Sequence, residues 1–216
     1  MDVKIMIAQK EHYHFAQEIV DTIETSAKVR GTGIAKRTPE YIHKKIDQEQ
    51  AIIAIAPDGR FAGFCYIETW SHGNYVAHSG LIVHPDFRKY GLAKQIKTFT
   101  FDYSRKKYPE AKIFGITTGL AVMKINSDLG YKPVPFSELT DDPTFWAGCK
   151  TCINFDILQR KENKMCLCTG MLYDPAQDKK NMTAAAAAAA PDHSYTFDKK
   201  VLKRLKKIKQ ALFLKK

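Results

Sequence analysis

The sequence predicts one α/β domain, a mixed and mostly antiparallel central sheet with helices on both faces, followed by extensions. Three observations carry this expectation. Strand-like and helix-like segments alternate along most of the chain; two strands meet at the turn Pro57-Asp58-Gly59; and a later strand passes through a glycine-containing turn directly into a helix. The 216 residues suit one substantial core and would be cramped for two.

Residues 3–8 read as a first strand, and 12–27 as a helix with Phe15, Ile19, Val20 and Ile23 on its inner face. A basic stretch, 28–38, holds Gly31 and Gly33 and leads to a short helix from Pro39, where Tyr41, Ile42 and Ile46 recur at helical spacing. Residues 51–56 and 61–69 flank the Pro-Asp-Gly turn as a hairpin. Ser71-His72-Gly73-Asn74 breaks the chain before a strand at 76–83, and Leu92, Ile96, Phe99 and Tyr103 then mark a helix running to Lys107. A strand at 113–117 and a helix at 120–129 follow, with Gly130 suited to a helix C-cap. Residues 151–158 and 165–172 read as two last strands around Lys161-Glu162-Asn163.

The domain is assigned to residues 1–175. Residues 176–197, with seven successive alanines from Ala184 to Ala190, read as a low-complexity linker. In 198–216, Val201, Leu205, Ile208 and Leu212 define an amphipathic helix with a lysine-rich opposite face. The net charge of +11 is concentrated there: residues 198–216 hold nine of the 34 Lys and Arg and only one of the 23 acidic residues. The body is therefore nearly balanced, and no nucleic-acid partner is expected for it. The tail helix suits packing on its own domain or on a dimer mate, and also suits a membrane surface, RNA or another subunit, so its partner stays open; a homo-oligomer, such as a dimer, is expected. No run of 18 apolar residues and no signal-peptide pattern is present, which points to a cytoplasmic protein.

The most informative stretch is Val83-His84-Pro85-Asp86-Phe87-Arg88-Lys89-Tyr90-Gly91-Leu92-Ala93. A helix that starts after a tight glycine turn presents unpaired N–H groups and its positive dipole end to an anion. Small residues at Gly91 and Ala93 permit close approach of a diphosphate, and Arg88, Lys89 and Lys94 add positive charge. The spacing lacks both a Gly-x-Gly-x-x-Gly fingerprint and a Gly-Lys-Ser/Thr P-loop ending. The pattern Arg-x-x-Gly-x-Ala, after a strand ending in Val-x-Pro, resembles the coenzyme A pyrophosphate loop of the GNAT superfamily of N-acyltransferases. That resemblance implies an acyl-coenzyme A co-substrate, acetyl-CoA or a close analogue, held by Ile82, Val83, Arg88, Lys89, Tyr90, Gly91, Leu92, Ala93 and Lys94.

Three further segments are similar to the transferase domain of N-acetylglutamate synthases: Gly33 to Tyr41 with its paired basic residues, Thr117-Thr118 with Gly130-Tyr131-Lys132-Pro133-Val134 and Ser137-Glu138-Leu139, and Cys149-Lys150-Thr151-Cys152. The likeness covers residues 4–158 and lacks any counterpart of the kinase-like domain often fused in that family. It implies a small-molecule amine acceptor with two carboxylates, and Arg37, Lys36, Arg30 and Lys150 are the basic residues available to bind them.

Direct acyl transfer needs a neutral amine, a polarised thioester carbonyl and a proton for the leaving thiolate. Where GNAT enzymes commonly carry a glutamate before the phosphate turn this chain has Ala77, leaving Ser79 on the same face, His78 on the other, and Glu68 on the preceding strand as candidate bases. Asn126 and Ser127 stand where a thiolate-protonating tyrosine is frequent. The five cysteines suit reduced thiols. A hairpin around Glu162 would carry Cys149 and Cys152 past Cys166 and Cys168, so no metal site is expected. The resulting expectation is an N-acetyltransferase acting on glutamate or a similar acidic amino acid, as in arginine biosynthesis. Open alternatives are another small amine, a protein lysine, or an acyl-CoA-binding sensor without catalysis.

Overall fold

The computed structural model describes residues 2–31 and 34–178. Met1–Ala176 form one compact unit. The tail helix expected at 198–216, and all but the first three residues of the linker expected at 176–197, lie outside the described residues.

Seven strands form one sheet in the order β1-β2-β3-β4-β5-β7-β6. They are β1 (Lys4–Ile7), β2 (Ala51–Ile55), β3 (Phe61–Trp70), β4 (Tyr75–Val83), β5 (Lys112–Thr117), β6 (Lys132–Val134) and β7 (Thr169–Tyr173). Every pair is antiparallel except β4 and β5. The mixed α/β architecture is the one the sequence predicts.

Period two sorts β2 and β3 onto two cores. Ile53, Phe64 and Tyr66 face α1 (Ala16–Val29) and α2 (Pro39–Asp47), whose Ile19, Ile23, Ile42 and Ile46 complete that layer. Ile52, Cys65, Ile67 and Val76 face α3 (Leu92–Lys107) through Leu92 and Ile96. A third cluster beyond β5 packs Phe114 and Leu172 under Phe136, Leu139, Trp146 and Leu158. Helix α4 (Leu120–Asp128) and the short α5 (Pro143–Ala147) complete the path to it.

The end of the domain departs from expectation. Residues 151–158 are not a strand: a 3₁₀ turn at Gly148–Thr151 is followed by α6 (Phe155–Arg160). The alternation of Ile153, Phe155 and Ile157 suggests a strand, but Ile153 is 81% exposed while Leu158, three residues beyond Phe155, is buried. A helical repeat therefore buries what this segment has to bury. β7 pairs instead with β5 and with the short β6, whose three residues around Pro133 carry no recognisable strand pattern.

Candidate active site

The phosphate turn has the geometry an anion needs. After β4, a 3₁₀ turn at Pro85–Phe87 delivers the chain to Lys89 (φ 71°) and Gly91 (φ 74°), two left-handed stations on either side of Tyr90 that aim the first amides of α3 outward. The carbonyl of Gly91 accepts from Lys94 and Gln95, so Lys94 N–H is already used, whereas Gly91, Leu92 and Ala93 N–H have no acceptor among the described residues. These amides and the helix dipole make the cradle.

Two basic residues take parts that differ from the sequence reading. The Arg88 side chain braces the turn: Nε donates to Val83 O (3.1 Å) and Nη2 to Ser26 Oγ (2.8 Å). Arg30, expected on the acceptor side, sits at the end of α1, near enough to Arg88 that burial and then repulsion between the guanidiniums lower its pKa. It belongs with the cradle, because α1 ends where Arg88 reaches Ser26. Lys94 pairs with Asp128 at 2.8 Å and ties the end of α4, with the exposed Ser127, to the start of α3. Asn126, beside it, is 1% exposed, and its Oδ1 has no partner among the described residues.

Beside the cradle the sheet opens. β3 and β4 pair Phe64 with Ile82 but Tyr66 with Ser79, so β4 carries an extra residue there, at Gly80 (φ 65°). A Cβ on Gly80 would stand 2.6 Å from the Tyr66 ring, so this station requires glycine on both counts. On its other side β4 pairs with β5 only from Tyr75 to Ala77; Gly115, Ile116 and Thr117 of β5 pair with β7 instead. Past Ala77, β4 has no ladder partner on that side among the described residues. The open backbone edge leads from Ser79 to Ile82 and Val83 and into the phosphate turn.

One face of this opening carries a polar cluster. Ser79 lies opposite Tyr66, and Ala77 opposite Glu68, so all four side chains share the face covered by α2. Glu68 is held by Lys45 (Nζ to Oε1, 2.8 Å) and accepts from the Tyr41 hydroxyl. Arg37 Nε donates to the Tyr66 hydroxyl at 2.6 Å, and Nη1 to Ala35 O and Lys36 O. Its Nη2 has no hydrogen-bond partner among the described residues. Burial works to lower the Arg37 pKa, but Tyr66, Tyr41 and Glu68 together raise it; burial, Tyr66 and Glu68 likewise raise the Tyr41 pKa. Lys36 N donates to Thr151 Oγ1 (2.8 Å), which brings the 36–37 loop against Lys150 and Thr151. Of the four basic residues expected to bind the acceptor, Arg37, Lys36 and Lys150 thus lie on chain segments that meet, whereas Arg30 lies at the end of α1. Tyr41, Lys45 and Tyr66 escape sequence reasoning because they look like core or ordinary surface; only the period-two relation of Tyr66 to Glu68 hints at them.

His78 lies on the opposite face, buried against α3. Nε2 bonds Ser104 Oγ (2.8 Å), while Nδ1 faces Lys97 Nζ (2.9 Å) and Tyr131 OH (3.2 Å). Burial, then Lys97, hold its pKa well below 6.5. A neutral imidazole sealed there cannot take a proton from an amine in the opening, which corrects its place among the candidate bases.

These features coincide with the results of comparison. Residues 20–119 match the model of the acetyltransferase (GNAT) family. Residues 20–119 thus carry a GNAT acetyltransferase domain. No curated protein matches it by sequence. Among solved structures, the chain is similar to N-acetylglutamate synthase from Neisseria gonorrhoeae complexed with coenzyme A and N-acetyl-glutamate (14% identity, TM-score 0.58), covering 81% of this chain and 35% of that one. A Mycobacterium tuberculosis protein in complex with CoA matches at 15% identity and TM-score 0.57 over 79% of this chain and 98% of its own. A phosphinothricin acetyltransferase from Sinorhizobium meliloti in complex with AcCoA matches at 11% and 0.55 over 81% and 89%. The chain thus spans about a third of the Neisseria enzyme, and at these identities the likeness is one of fold. No helix among the described residues is long and apolar enough to cross a membrane.

Proposed function

We propose that this acetyltransferase moves an acetyl or similar acyl group from acyl-CoA to the α-amine of a small acidic amino acid, glutamate preferred, a step suited to arginine biosynthesis. The observation that supports the reading is the meeting of the segments carrying Arg37, Lys36 and Lys150 beside Tyr66 and the opened edge of β4, with Arg37 Nη2 lacking a hydrogen-bond partner among the described residues. A guanidinium fixed on three of its hydrogen bonds keeps a directed donor for a carboxylate at little further entropic cost.

In this reading the amine attacks the thioester carbonyl and loses a proton through the Tyr41 hydroxyl, whose own proton passes to Glu68. Lys45 orients Glu68 for that step through its 2.8 Å ion pair. Ser79 faces the same opening and is the hydroxyl placed to hydrogen-bond the amine or a bridging water. The Ser127 hydroxyl, at the end of α4 that Lys94 and Asp128 hold beside the cradle, passes a proton from solvent to the departing thiolate; Asn126, sealed in the core, supports that turn.

Thiol release measured across the twenty amino acids with acetyl-CoA and succinyl-CoA tests the proposal, with glutamate expected to dominate. Arg37→Ala should then raise the glutamate KM by roughly tenfold or more, the loss of one charge-assisted pair, while the Kd for CoA stays within twofold. Equal losses for both substrates, or a preference for a neutral amine, would remove the assignment.

A further inference from the structure

Four of the five cysteines gather in one place that the acetyl-transfer chemistry does not use. With residues 151–158 folded as a turn and α6, Cys149 and Cys152 come to face Cys166 and Cys168, and all four line one cavity of about 20 Å3. The fifth, Cys65, is buried separately in the sheet. The Cys152 N–H donates to Cys149 O at 2.9 Å, closing a Cys-x-x-Cys turn whose two cysteines both line the cavity. Ile116, Phe136, Phe155 and Leu158 form the apolar remainder of the lining, with Asn154 its one other polar side chain.

We propose that Cys149, Cys152, Cys166 and Cys168 bind a single Zn2+ as a tetrathiolate. Two close-spaced pairs delivered from separate turns are the arrangement a closed tetrahedral site uses, and a lining with thiols but no carboxylate or imidazole selects a thiophilic ion over Mg2+ or Ca2+. The thiols are not set around an ion as they stand: among the described residues no three ligating groups are placed to hold a metal, and binding requires the cysteine side chains to turn into the cavity they line. Binding exchanges four thiol protons for one Zn2+ and leaves a dianionic centre with no change of oxidation state. Positive charge is at hand to offset it, since Arg37 lies near enough to act on Cys149 electrostatically and Lys150 sits between the first two ligands. Once closed, the centre would pin the turn carrying Thr151, and with it the amide of Lys36.

The full chain, produced in zinc-supplemented medium and purified without chelator, should hold one Zn2+ by elemental analysis, released when a mercurial reagent titrates the thiols. Replacement by Co2+ should give the intense thiolate charge-transfer and visible d–d bands of tetrahedral Co–S4 coordination. Cys149→Ser and Cys168→Ser should each lose both signals while Cys65→Ala keeps them. If either serine variant fails to fold, the Co2+ spectrum of the unmodified chain decides. A chain that takes up neither ion while its thiols react freely, or one in which these cysteines are paired as disulfides, overturns the site. So does metal retained at full stoichiometry in a folded Cys168→Ser.

Discussion

Lys97 is a residue whose cost is visible in the structure. Its ammonium is 3% exposed on α3 and faces a neutral imidazole and the ring of Tyr131 rather than a carboxylate. Burial lowers its pKa from 10.5 to about 8. Below pH 8 both folded and unfolded chains carry the ammonium, so the desolvation penalty is fully present; between 8 and 10.5 the unfolded chain binds more protons, and stability rises with pH. Lys97→Met should therefore raise Tm at pH 7, by about 2–4 °C per kcal/mol recovered, and the gap between variant and parent should shrink as the pH climbs from 8 to 10.5. A gap that stays constant over that range would mean that Lys97 is neutral, or solvated, throughout. His78 adds the mirrored term at low pH: folded protein excludes its proton, so stability falls as pH drops below 6.5.

At the scale of the element, the strand-turn-helix unit from β4 to α3 concentrates what the substrate needs. A Cβ on Gly91 would meet no protein atom within 4 Å, so the space in front of it is free for a ligand. Gly91→Val should raise the Kd for CoA by at least about tenfold, or 1.4 kcal/mol, through strain at positive φ and the obstructed approach of a diphosphate. Calorimetry showing unchanged affinity in a folded variant would contradict the cradle. This unit is legible in the sequence because its physics is local: proline, glycine and a helical repeat within about twenty residues. α6 and β6 are not legible, since their form depends on which apolar residues find the third core, a decision made by Trp146, Phe136 and β7 far along the chain. The cluster of Arg37, Tyr41, Tyr66 and Glu68 is half legible: the charges stand out, but tyrosines that hold charges resemble tyrosines that fill cores. Arg30 and Arg88 are legible as basic residues only; that Arg88 braces the turn is seen only from its contacts with Val83 and Ser26.

For the whole molecule, β7 closes the sheet at Tyr173, and the Lys112–Asp174 ion pair at 3.3 Å fastens its end. A chain cut after Ala176 should fold and bind CoA with the Kd of the full protein, as measured by calorimetry. If the basic segment 198–216 makes an electrostatic contact, binding of the full chain to anionic vesicles or RNA should fall steeply as salt rises and should vanish in the shortened chain. Loss of CoA binding on truncation would instead tie the tail to the fold. The parting of β4 from β5 has a consequence for the molecule as a material. A sheet that leaves backbone groups unladdered in its middle has its seam of weakness where the acyl donor docks, so occupancy and rigidity become one variable. Those amides of Ser79–Val83 and Gly115–Thr117 that point into the gap between β4 and β5 should exchange fast without CoA and slowly with it, while those laddered to β3 and β7 stay protected, turning the protection pattern into a gauge of how much donor the protein holds.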